Sequence, residues 1–127
     1  MKNYLLVLCV AGLVACKGDH AAELRGFIPG SYVASWRTAW AVTNDTLVLE
    51  PLVKNGSLTY TVTRRSYSCF TGKIQQRPPE YRVLHWTGSF EPGAGTVVIH
   101  ANGRVLSFDP AAQELKMGLR TYQKLSR

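Results

Sequence analysis

The sequence predicts an all-β domain, a small antiparallel meander of about eight strands closing into a barrel. Three observations carry that expectation. Apolar and polar residues alternate with period two over several stretches, which is the spacing of a strand rather than a helix. Turn signals recur at short intervals, with Asn55-Gly56 the strongest. No stretch offers an amphipathic helix of about fifteen residues for a βαβ unit. A two-sheet sandwich is the alternative packing of the same strands, but closing the meander removes its vulnerable edges.

The first strand is expected from Tyr32, after Phe27-Ile28-Pro29-Gly30. Tyr32, Ala34, Trp36, Thr38, Trp40 and Val42 share one face of a strand or bent strand pair, and their aromatics should point into the core. Thr43-Asn44-Asp45 reads as a turn, because short polar side chains bond nearby backbone. Thr46 to Glu50 is the next strand, and Pro51 disfavours a continuous central one. Asn55-Gly56 suits a type I′ hairpin turn. Beyond it Leu58, Tyr60 and Val62 face inward while Ser57, Thr59, Thr61 and Thr63 face water.

Thr71 to Pro79 is a long loop, since Pro78-Pro79 cannot supply ladder N–H groups. Glu80 to Thr87 is a strand and Gly88 to Gly95 a glycine-rich connection. Thr96 to His100 and Arg104 to Phe108 form a hairpin across Ala101-Asn102-Gly103, with Gly103 left-handed. Asp109-Pro110 marks a turn. Leu115, Met117 and Leu119 alternate, Ala111 to Leu115 reads equally as one helical turn, and Thr121 to Leu125 closes the sheet.

The 127 residues suffice for one domain, and 46% apolar content excludes a wholly disordered chain. A formal charge of +7 allows contact with anionic lipid, nucleic acid or acidic glycan but supplies no chemistry. The N-terminus reads as an address. Lys2 precedes an apolar stretch from Tyr4 to Ala15, which as a helix rises only about 18 Å against a hydrocarbon core near 30 Å. That suits an export signal better than a membrane span.

Leu13-Val14-Ala15-Cys16 resembles the lipobox of bacterial lipoproteins. The resemblance implies a diacylglyceryl group on Cys16, cleavage before it, and an acylated amine. Residues 1–15 are then a cleaved signal peptide, 16–26 a lipidated tether and 27–127 a single β domain. Two or three acyl chains hold a protein stably where one does not. The family pattern also implies the outer membrane, because position 17 is Lys rather than the Asp that favours inner-membrane retention. Its periplasmic and surface faces both stay open.

Two further resemblances concern the domain. Gly30-Ser31-Tyr32 resembles the Gly-x-Trp of lipocalins, with Tyr in place of Trp, and Thr121 to Leu125 resembles a terminal strand of small lipocalin-like domains. Phe27 to Val33, Asn44 to Val48 and Gly103 to Pro110 look like segments of small Bacteroidota lipoproteins, some associated with conjugative elements. These resemblances imply an envelope accessory protein with a protein partner, or a carrier of a small apolar ligand.

Catalytic patterns are weak. Of the three histidines, His20 falls in the tether, and His85 and His100 fall on strands away from any HExxH or paired-Cys motif. No metal, cofactor or enzymatic activity is expected. Cys69, left without an internal partner once Cys9 and Cys16 are accounted for, reads as a small buried hydrophobe or as a reactive thiol. Arg64 and Arg65, with Lys73 and Arg77 after Tyr67 and Phe70, form the densest basic-aromatic segment. It suits an anionic surface, with nucleic acid the less favoured partner. Tyr32, Trp36, Trp40, Tyr60 and Trp86 either fill the core or line an apolar cavity.

Overall fold

Eight strands follow one another around a closed antiparallel barrel, each paired with its sequence neighbour and the last with the first. They are β1 (Gly30–Arg37), β2 (Ala41–Pro51), β3 (Thr59–Phe70), β4 (Glu80–Glu91), β5 (Thr96–Ile99), β6 (Val105–Asp109), β7 (Glu114–Met117) and β8 (Arg120–Lys124). The computed structural model describes residues 20, 22–52 and 58–125. The Asn55-Gly56 turn and the whole lipobox, Leu13, Val14, Ala15 and Cys16, lie outside the described residues.

Strand lengths divide the barrel into two halves. β2, β3 and β4 run 11, 12 and 12 residues, whereas β5 and β7 have four each. Near the start of β1 the ring is complete. Towards the other end it loses its backbone seams: β4 pairs with β5 only over Gly88–Glu91, and β1 pairs with β8 only at Tyr32 and Val33. The upper parts of β1 to β4 therefore form a flared sheet that faces the two short hairpins β5–β6 and β7–β8.

The closed half is filled. Tyr32, Leu47, Leu49, Val62, Leu106 and Tyr122 are among the buried side chains that meet there. Each large apolar side chain removed from water contributes roughly 1.5–3 kcal/mol. A short helix at residues 22–27 plugs that end. Leu24, Phe27 and Ile28, spaced i, i+3 and i+4 on one helical face, are buried in the same cluster. The Phe27 ring meets Tyr32 and Phe108 edge-on, at 5.9 and 6.4 Å between centroids. The Tyr32 hydroxyl donates to the carbonyl of Ile28 at 2.8 Å, and the Lys124 ammonium donates to that of Phe27. The core thus extends to Leu24, upstream of the boundary expected at residue 27.

Several sequence expectations change. The turn expected at Thr43-Asn44-Asp45 is strand, and the chain reverses instead at residues 38–40. There the Thr38 hydroxyl accepts the backbone N–H groups of Trp40 and Ala41. Trp40 consequently sits at a hairpin tip, 62% exposed, and not in the core. β4 continues through Gly88 to Glu91, so the glycine-rich connection shortens to residues 92–95. Gly88 is tolerated inside the strand because a Cβ there would meet Val97 Cγ1 at 2.8 Å and the Val98 carbonyl at 3.0 Å. Leu119 does not extend the buried row of Leu115 and Met117, but forms the fully exposed β7–β8 turn. Gly103 has a positive φ, as its hairpin requires.

Candidate functional site

Asp45 and Arg64 meet at the floor of the open half. Both point inward from adjacent long strands, and Arg64 Nε lies 2.9 and 3.2 Å from the two carboxylate oxygens. The Tyr122 hydroxyl donates to the same carboxylate at 2.5 Å from the facing β8. Asp45 is 1% exposed, so three elements share one buried polar junction. Burial, followed by the Asp45 hydrogen bond and charge, pushes the Tyr122 hydroxyl well above its ordinary pKa.

Above this junction, arginine–tryptophan pairs stand where the backbone seams stop. Arg120 at the start of β8 lies 3.4 Å above the Trp36 ring near the end of β1. Arg104, just before β6, lies 5.9 Å from the Trp86 ring of β4. Each guanidinium stacks on a ring face and keeps its N–H edge for hydrogen bonding. A cleft of about 860 Å³ opens here, lined by Arg64, Arg104, Lys116 and Arg120 together with Ser107 and Leu119.

Charge is segregated along the barrel axis. Among the described carboxylates, Glu23, Glu50, Glu91, Asp109 and Glu114 lie at or beside the closed end. In the open half only Asp45 and Glu80 are acidic among the described residues, and each is paired with an arginine, Arg64 and Arg77 respectively. The cations Arg37, Arg65, Lys73, Arg82, Arg104 and Arg120 share that half. The cleft is thus a basic site on a barrel whose other end is acidic.

The four basic residues singled out from sequence do not form one patch. Arg64 faces the interior, while Arg65 is exposed on the opposite face of β3, as period two requires. Lys73 lies in the 3₁₀ turn at Gly72–Ile74 after β3. Arg77 stacks on Phe70 at 4.8 Å and bonds Glu80 at 3.5 Å. Arg104, Lys116 and Arg120 carried no signal, because only closure of the barrel brings them to Arg64.

His85 and His100 do share a smaller outer cleft, of about 490 Å³, with Thr61, Thr63 and Thr87. The His100 ring lies 2.6 Å from Ser89 Oγ and 3.2 Å from Thr87 Oγ1. No group of three or more His, Cys, Asp or Glu side chains forms a metal site among the described residues. Cys69 is a free, half-exposed thiol on the outer face beside Tyr67. It stands six residues along β3 from Thr63, the register partner of His85, or about 20 Å. The two therefore do not form a nucleophile pair. No helix among the described residues is long and apolar enough to cross a membrane.

The chain is an eight-stranded antiparallel barrel, a fold type used by small ligand-binding and carrier proteins. Comparison with family models, curated proteins and solved structures returns no match.

Proposed function

We propose that this protein is a binding barrel that takes a small anionic ligand in its open half, held in the bacterial envelope by lipid on Cys16. One observation carries the ligand reading: Arg64, Arg104 and Arg120 line one open cleft, with Lys116, on the outer face of β7, at its edge. The ligand fits as a phosphate or carboxylate with an apolar portion, since Trp36 and Trp86 back the two arginines and Leu119 lies at the rim. This modifies the carrier expected from sequence. The barrel's closed half is occupied by its own side chains, which leaves the mouth as the place to bind.

Hexyl phosphate is a suitable probe, read by tryptophan fluorescence. Saturable binding that weakens at least tenfold in Arg104→Ala and Arg120→Ala, and falls as salt rises, supports the reading. Absence of saturable binding, or equal binding by both variants, overturns it. The anchor rests on the Leu13-Val14-Ala15-Cys16 pattern and is tested separately by palmitate labelling, which Cys16→Ser should abolish.

A second reading, an envelope protein partner, is favoured by the edge of β4. The Thr87 carbonyl accepts from His100 on the β5 side, so by alternation Tyr81, Val83 and His85 aim their backbone groups the same way. No strand of the described residues covers them there. Such an edge accepts an added strand. Crosslinking in intact envelopes should then capture a partner through this edge.

A further inference from the structure

We infer that the open end docks on an anionic lipid surface through the neighbouring tips of the β1–β2 and β7–β8 hairpins. Trp40 crowns the first tip and Leu119 the second, 62% and 106% exposed. β1 and β8 are adjacent strands, so the two tips stand side by side. Exposed Trp and Leu on tight turns are the side chains that enter the headgroup and acyl boundary.

The surroundings select the lipid charge. Arg37 ends β1, Arg120 begins β8, and Lys116 and Arg104 lie along the neighbouring rim. Glu80, the open-half carboxylate outside the interior among the described residues, is already engaged by Arg77. The remaining described carboxylates lie towards the closed end, a barrel length from the two tips. Each Lys or Arg near an anionic membrane adds attraction that falls off within a Debye length.

The docking geometry is compatible with an anchor at Cys16. β3 spans about 30 Å along a tilted barrel, and at most about 20 Å of chain joins Cys16 to the plug helix. A barrel lying on its side then touches one bilayer at both ends. The tips supply the second attachment that turns a tethered domain into an oriented one.

The test uses the full chain carrying Cys16→Ser, so that acyl groups do not dominate, with vesicles of phosphatidylcholine alone or with 30% phosphatidylglycerol. Flotation should show at least tenfold tighter binding to the anionic vesicles, lost on adding Trp40→Ser and Leu119→Ser. Brominated acyl chains should quench tryptophan emission in the parent and not in Trp40→Phe. Both side chains are exposed, so near-ultraviolet circular dichroism should confirm unchanged folding. Equal binding to both vesicle types, or an unaffected double variant, overturns the inference. Hexyl phosphate binding by Trp40→Ser alone, whose side chain does not line the cleft, reports on the ligand site independently.

Discussion

Arg120 stacks 3.4 Å above the ring of Trp36 across a seam that the backbone leaves open. β1 and β8 stop pairing at Val33 and Gln123, and this contact continues the closure with side chains. The pair is part of the wall and also part of the cleft. Arg120→Ala should cost about 1 kcal/mol, the scale of a partly desolvated cation–π contact. Arg120→Lys should restore part of that stability while weakening anion binding, because an ammonium lacks the planar fork. Denaturant titration and hexyl phosphate binding, measured on the same variants, separate the two effects.

The buried junction makes a steeper demand. Tyr122→Phe removes a donor from the Asp45 carboxylate and should cost about 2 kcal/mol, in the range of hydrogen bonds to charged groups. Asp45→Ala strands Arg64 as well and should cost more, about 3–5 kcal/mol. Equilibrium unfolding in urea checks both, and an Asp45→Ala barrel of unchanged stability would show that the junction contributes nothing.

Residues 22–27 belong to the fold. Leu24 is 3% exposed and packs with the core at the closed end. Leu24→Ala should therefore destabilise by about 2–4 kcal/mol, as a buried truncation does. A loss below about 0.5 kcal/mol would return this segment to the role of tether.

Alkaline pH should unfold the barrel. Burial raises the pKa of both the Tyr32 and Tyr122 hydroxyls above the ordinary 10.0. Below pH 10 both phenols are neutral in the folded and unfolded chains, and the stability linked to them is fully present. As pH rises past 10, the unfolded chain loses protons that the folded chain retains, so stability falls with pH. The urea midpoint should drop between pH 9 and 11, and the drop should be smaller in Tyr122→Phe.

Much of this was legible in the residues themselves. Period-two alternation in Leu58 to Thr63, the double proline at 78–79 and the Ala101-Asn102-Gly103 turn announced strands and breaks, because side-chain direction and backbone freedom are local properties. Antiparallel closure into eight strands followed from short connections and the cost of exposed edges. Placement of polar residues was less local. Thr43-Asn44-Asp45 has the composition of a turn, yet Asp45 is core, since its desolvation is offset by Arg64 and Tyr122 from elsewhere in the chain. Trp40 sits in phase with Tyr32, but Thr38 captures the backbone first and sends it outward. Arg104, Lys116 and Arg120 reach the cleft from the consecutive segments β6 to β8, and Arg64 of β3 joins them only when the last strand pairs with the first. Short-range sterics and hydrophobic period determined where strands form; barrel closure, which joins distant residues, decided where the charge gathers.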